Sequence, residues 1–204
     1  MDYSGLNIGV LALQGASAEH LQQLQSLGAK GVAVKKVTQL AELDGLILPG
    51  GESTAIGKLM VQYGFIDAIR RFAAQGKPIF GTCAGMILLA KEIEGGEPAH
   101  LGLMDISVRR NAFGRQTDSF QADIEVEGLS APFPSVFIRA PYILGTRQQV
   151  QTLAVFSGYP VLARQQNLLA CAFHPELTAD NRITDLFLQM VCQAGKAKMQ
   201  GKAS

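Results

Sequence analysis

Tryptophan is absent from this 204-residue chain, and Phe and Tyr together make up 7% of it, so no aromatic platform for stacking bases is in view. Charge is scarce as well. Asp, Glu, Lys and Arg amount to 17% of residues and leave a net charge of +1, with no basic stripe of the kind that tracks a phosphate backbone. Nucleic-acid binding is excluded on both counts. There are three cysteines, Cys83, Cys171 and Cys192, an odd number without a C-x-x-C pair, which excludes a disulfide framework and a structural zinc site. No metal ligand set and no cofactor motif is expected. The stretch 51–58 has two glycines and a lysine but the wrong spacing for a phosphate loop, and Leu59 stands where a Ser or Thr would hold magnesium. Long apolar runs are missing too. The first, residues 8–13, is too short to span a bilayer or to serve as a signal segment, and residues 1–5 carry no basic cluster, so no membrane association and a cytoplasmic location are expected.

What is present is a large apolar fraction, 48%, enough for one well-buried α/β domain, expected over residues 1–195 with 196–204 as a disordered tail. In the first half, apolar strand-like runs at 7–13, 31–34, 45–48 and 78–80 alternate with helical patterns at 17–27, 54–63 and 65–75, the last two meeting at Gly64. Such alternation predicts a mostly parallel sheet covered by helices on both faces, with a site formed by loops at the carboxyl ends of the strands. From about Gly102 the pattern changes to short β-type runs at 105–109, 120–127, 136–139, 153–157 and 160–165, which predict an antiparallel extension. A last buried strand at 168–173 precedes His174-Pro175-Glu176 and a helix over 182–193.

Chemistry concentrates at two of the predicted strand ends. Gly81-Thr82-Cys83-Ala84-Gly85 is a G-x-C-x-G run between an apolar strand and the helix-forming stretch 87–92. It is the thiol counterpart of a nucleophile elbow, in which small flanking residues allow a sharp turn that presents the central side chain. The helix start behind it points unpaired N–H groups at the thiol and favours negative charge on the sulfur. His174 and Glu176, two residues apart, share a side if Pro175 keeps the backbone extended. A carboxylate in that place fixes the tautomer of an imidazole and stabilises the imidazolium, as a base serving a thiol requires. Cys83, His174 and Glu176 therefore make a complete candidate triad. His20, on an amphipathic helix, and His100, in a loop, read as structural or solvated, and Cys171 and Cys192 as packed thiols.

Pro49-Gly50-Gly51-Glu52-Ser53-Thr54, the Cys83 elbow and His174-Pro175-Glu176 resemble the class I, triad-type glutamine amidotransferases. Residues 11–15, 110–116 and 137–141 carry the resemblance further, to the glutaminase subunits of pyridoxal 5′-phosphate synthase. It covers nearly the whole chain. It implies a three-layer, flavodoxin-like α/β sandwich that hydrolyses L-glutamine to glutamate and ammonia through a Cys83 thioester. His174 moves the proton, and Glu176 orients His174. Backbone N–H groups of Gly51 and Ala84 are the expected oxyanion donors. Gly51, Glu52, Ser53, Arg110, Ile138 and Arg139 are implied to bind glutamine, arginine suiting a carboxylate through its paired donors. The implied partner is a (β/α)8-barrel synthase subunit that consumes the ammonia, since no second substrate site is visible in this chain. Two other readings stay open on residues alone: a triad hydrolase for γ-glutamyl substrates, and a non-catalytic binding subunit. The second has no need of an intact triad.

Overall fold

In a computed structural model, which describes residues 1–111 and 119–201, the chain opens with β1 (Asn7–Leu11), α1 (Ser17–Ser26) and β2 (Lys30–Val34). A 3-10 turn at Val37–Glu42 leads to β3 (Gly45–Leu48), then α2 (Ser53–Gln62), α3 (Phe65–Ala74), β4 (Ile79–Thr82) and α4 (Ala84–Leu89). Next come β5 (Ala90–Ile93), β6 (Met104–Arg109), β7 (Ser119–Ile124), β8 (Phe133–Ile138) and β9 (Tyr142–Thr146). The chain ends through β10 (Gln151–Phe156), β11 (Tyr159–Gln165), β12 (Leu168–Cys171), a 3-10 turn at Pro175–Leu177 and α5 (Arg182–Gly201).

The central sheet has the order β10-β11-β12-β4-β3-β1-β2, parallel from β12 to β2 and antiparallel at β10 and β11. Its inner parallel strands, β12, β4, β3 and β1, read as apolar runs because helices bury both faces. Alternation along β4 shows the layering. Phe80 meets Phe187 of α5 with ring centroids 5.6 Å apart, and Thr82 contacts His20 of α1, so these two helices share a face. Gly81, between them, faces α4 on the other side, where an added Cβ would come 2.4 Å from the Gly85 carbonyl oxygen. The loops after β1, β3, β4 and β12 all leave the same carboxyl edge, and the strand order reverses between β1 and β3.

The rest of the sequence expectation is met in part. The second half supplies two strands to the main sheet and builds two smaller sheets, β5-β6-β9 and the hairpin β7-β8. Within the first of these β5 and β6 are parallel, so the extension is not wholly antiparallel. Helix was expected to continue to Glu92 but stops at Leu89, because Ala90 turns to an extended backbone and begins β5. β9 was not foreseen. α5 runs past Gln193 to Gly201, so residues 196–201 continue the helix in place of the disordered tail expected over 196–204, while 202–204 lie outside the described residues, as do 112–116 of the 110–116 motif. The hairpin is pinned by aromatic packing: Phe120 stacks on Phe137 at 4.8 Å, and Phe137 meets Phe173 edge-on at 5.7 Å. That contact delivers the end of β8 to the carboxyl edge of the main sheet. No described helix is long and apolar enough to cross a membrane.

Candidate active site

β4 ends in a strained turn. Cys83 has φ 49° and ψ −104°, a conformation uncommon for a residue with a side chain and found where surrounding structure enforces it. Enforcement here is local: Cys83 N–H donates to the Cys171 carbonyl at 2.8 Å, and α4 starts against β3 so closely that a Cβ on Gly85 would sit 2.0 Å from the Leu48 carbonyl oxygen. Five residues other than glycine have positive φ among the described residues, and Cys83, Asn111 and Arg139 among them line one cavity of about 390 Å³. Cys83 is 7% exposed at its floor, whereas Cys171, one strand over, is at 0%. Burial pushes the Cys171 thiol well above its ordinary range, and its Sγ donates to the Phe173 carbonyl at 3.2 Å. Only the first thiol can meet a substrate.

His174 reaches the same cavity from the end of β12. Its backbone N–H donates to the Val136 carbonyl at 2.8 Å, and its ring lies against Gly50, where a Cβ would be 2.3 Å from Cε1. Nδ1 of the ring lies 2.7 Å from Oε1 of Glu176, which is fully buried behind it. Pro175 does not keep the chain extended, as the sequence suggested; it opens a 3-10 turn, and the tight turn folds Glu176 back under the imidazole. Burial opposes a charged imidazole. Cys83 on one side and Glu176 on the other outweigh it, raising His174 to about 10. Burial likewise opposes the Glu176 carboxylate, but the imidazoles of His20 and His174 hold its carboxyl below the ordinary value. Two groups driven toward opposite charge in one buried contact form an ion pair suited to general acid–base work.

Nine of the ten residues expected at the site line this cavity, namely Cys83, Ala84, Gly51, Glu52, Ser53, Arg110, Ile138, Arg139 and His174, and the tenth, Glu176, supports His174 from behind. Glu52 caps α2, accepting from Thr54 N–H at 3.0 Å and Ala55 N–H at 2.7 Å. Arg110 donates to both carboxylate oxygens of Glu97, at 3.1 and 2.9 Å, and to Glu52 at 3.3 Å. Its donors already face carboxylates, the group a glutamine backbone would offer. Ile138 meets Cys83 through its carbonyl oxygen, 3.9 Å from the Sγ.

Several neighbours lie outside the ten residues expected at the site, although Gln14, Asn111 and Pro141 stand within the 11–15, 110–116 and 137–141 motifs. Gln14, Ile87, Asn111 and Pro141 also line the cavity, and Gln14 Oε1 accepts from Glu52 N–H at 2.9 Å, laying that side chain beside Gly51. His20, read as structural or solvated, is wholly buried behind Glu176. Its neighbour one turn on, Gln23, donates to the Pro175 carbonyl at 3.0 Å and accepts from Thr184. The signal was present in the spacing, since His20 and Gln23 are three apart on a helix and share a face with buried Leu24. His100 is half-buried against Gly57, and no group of His, Cys, Asp or Glu among the described residues is arranged to hold a metal.

The profile of the SNO glutamine amidotransferase family matches residues 10–193. A relative from Pasteurella multocida (strain Pm70), "Pyridoxal 5'-phosphate synthase subunit PdxT", is 65% identical over 190 residues, which are 93% of this chain and 98% of that protein. A protein of the same name from Bacillus pumilus (strain SAFR-032) is 56% identical over 186 residues, covering 91% and 95% of the two chains. A solved structure titled "Crystal structure of glutamine amidotransferase" superposes with a TM-score of 0.86 at 49% identity, covering 90% of this chain and 98% of its own. The chain belongs to the SNO glutamine amidotransferase family.

Proposed function

We propose that Cys83, His174 and Glu176 are the catalytic triad of a glutaminase that supplies ammonia to pyridoxal 5′-phosphate synthase. The observation that carries the reading is the strained Cys83 elbow opening onto the same cavity as His174, whose far nitrogen is 2.7 Å from buried Glu176. Cys83 Sγ passes its proton to His174 and attacks the side-chain amide carbon of L-glutamine, and His174 delivers that proton to the departing nitrogen. Ammonia leaves, and a glutamyl thioester remains. His174 then takes a proton from water, which attacks the thioester and releases glutamate with the thiol restored. Each tetrahedral intermediate carries an oxyanion, for which the N–H groups of Gly51 and of Ala84 at the start of α4 are the donors we assign. Residues 1–195 form one amidotransferase domain, and a cytoplasmic location suits a subunit of a biosynthetic enzyme.

Arg110, with Arg139 and the Gly51-Glu52-Ser53 and Ile138 backbone, holds the amino-acid end of glutamine. Arg110→Ala is expected to raise KM for glutamine by on the order of tenfold, as for loss of a charge-assisted hydrogen bond, and to lower kcat less. Steady-state kinetics check it. A fall in kcat at unchanged KM would move Arg110 from binding to chemistry.

The family resemblance supplies the recipient of ammonia, a (β/α)8-barrel subunit, and we infer that docking of that subunit switches the glutaminase on. Gly15 supports this. It has φ 102°, and a Cβ there would lie 2.0 Å from the Gly50 carbonyl oxygen, which accepts from Ala16 N–H at 3.1 Å. The loop after β1 thus grips the peptide that precedes the oxyanion donor Gly51, and a shift of one moves the other. Glutamate release from the isolated chain should be low and should rise as the barrel subunit is titrated in. Gly15→Val should lose that response. Full activity without the partner would remove the switch, and activity on γ-glutamyl peptides in place of glutamine would remove the function.

A further inference from the structure

Glu176 meets His174 through one carboxylate oxygen, Oε1. The other, Oε2, is buried without a hydrogen bond of ordinary geometry, a condition shared among the described residues only by Nδ1 of His20. The two side chains face each other. Nε2 of His20 lies 3.4 Å from Oε2, both side chains at 0% exposure, and the same nitrogen lies 3.2 Å from the hydroxyl of Thr82, the residue before the nucleophile. An imidazole entirely removed from water therefore joins the strand that carries Cys83 to the carboxylate that supports His174.

We propose that His20 is a positioning residue of the triad: a neutral imidazole in its Nε2–H form that donates to Oε2 of Glu176, keeping the carboxylate ionised and aimed at His174. The proposal rests on the triad reading above. The tautomer follows from counting donors. With the proton on Nδ1, a buried N–H would lack an acceptor and the Nε2 lone pair would point at an anionic oxygen. With it on Nε2, the N–H reaches the Thr82 hydroxyl at 3.2 Å and faces Glu176 Oε2 at 3.4 Å, and the unpaired ring atom is an acceptor, the cheaper group to strand. Neutrality follows from the surroundings. Burial and the His174 imidazolium oppose a second positive charge; Glu176 and, on its own helix, Glu19 favour one, and the balance leaves His20 below its ordinary value.

The consequence for catalysis is electrostatic. A fully buried carboxylate with one hydrogen bond is pressed toward its protonated form, in which it can neither orient His174 nor stabilise its charge. The donor from His20 opposes that. His20 does not line the cavity, so it has no part in holding substrate. Gln23, which ties α1 to the Pro175 carbonyl and to Thr184, keeps the helix in place when His20 is changed.

The test uses the full chain with its barrel subunit for kinetics and the full chain alone for spectroscopy. His20→Met removes the donor, and His20→Gln keeps an N–H near the Nε2 position. In His20→Met we expect kcat for glutamine hydrolysis about tenfold lower at neutral pH with KM unchanged, as for loss of one hydrogen bond to a charged group. The acid limb of its kcat profile should move up by about one pH unit or more as Glu176 begins to titrate. His20→Gln should recover most of both. The His174 Nδ1–H proton resonance should be lost on the acid side at a higher pH in His20→Met than in wild type, a readout that holds whatever the substrate proves to be. In wild type, 15N chemical shifts should show His20 neutral and protonated at Nε2, which decides the matter even if the variants fail to fold. An Nδ1–H or doubly protonated His20 would overturn the proposal. So would a folded His20→Met with wild-type kcat and an unmoved acid limb, or equal losses in the Met and Gln variants. A wild-type complex that releases no glutamate would instead overturn the triad's assigned function, with the resonance measurements still deciding the role of His20.

Discussion

Cys83→Ala is expected to abolish glutamine hydrolysis, lowering kcat by about four orders of magnitude or more, while the protein keeps its fold. The activity loss has no remedy within reach. The nearest alternative thiol, Cys171, is on the neighbouring strand but wholly buried, donates to the Phe173 carbonyl, and is held protonated by burial. The folding expectation rests on the turn. Its backbone is set by the Cys83 N–H bond to Cys171 and by the close approach of Gly85 to Leu48, and neither involves the sulfur. Besides its interaction with His174, the thiol meets the Ile138 carbonyl at 3.9 Å, a long and weak contact. Alanine has the same Cβ, so the strain at φ 49° is unchanged, and with the sulfur's support of His174 also lost the cost should stay within the range of an ordinary substitution, about 0.5–3 kcal/mol. Glutamate release measured beside thermal unfolding checks both halves. Cys171→Ala is the matched control and should retain activity, and a reversal of the two variants would relocate the nucleophile.

The features that were legible in the sequence are those whose geometry is enforced by adjacent residues. The elbow is local: the turn at Cys83 needs a small residue on either side of it, and both are in the motif. Gly50-Gly51 after β3 and His174-Pro175-Glu176 after β12 are local in the same sense, and Gly51, Cys83, Ala84 and His174 meet in one cavity, whereas Arg110, Ile138 and Arg139 were implied there only by the family resemblance. Alternation of apolar runs with amphipathic helices was enough to place those turns at one sheet edge. What could not be read depends on distant partners. β9 is a strand because β6 offers it a ladder, and its Tyr142–Thr146 stretch, buried only at its first two residues, has no strand periodicity to announce it. Ala90 has high helix propensity yet starts β5, since the backbone there pairs with Met104 of β6. His20 lies 156 positions from Glu176. An amphipathic helix shows that one face is buried, but not that a carboxylate waits beneath it.

His174→Asn should lose nearly as much activity as Cys83→Ala, and Glu176→Gln distinctly less, because nucleophile and base fail together whereas the orienting group modulates them. Asparagine can still reach Glu176 with an amide N–H but offers no nitrogen that accepts and returns a proton. The same variant has a pH signature. In the folded protein His174 is raised to about 10 from an ordinary 6.5, since Cys83 and Glu176 outweigh its burial. A group raised in this way contributes stability that is fully present below pH 6.5 and is lost as pH rises through about 10. Wild-type unfolding temperature should therefore fall between these limits, and His174→Asn should lack that part of the decline. Denaturation followed at several pH values, beside kcat, separates the two roles of the residue. A His174→Asn variant as active as wild type across neutral pH would take the imidazole out of the mechanism. One that kept the wild-type alkaline decline would show that the stabilising proton belongs to another group.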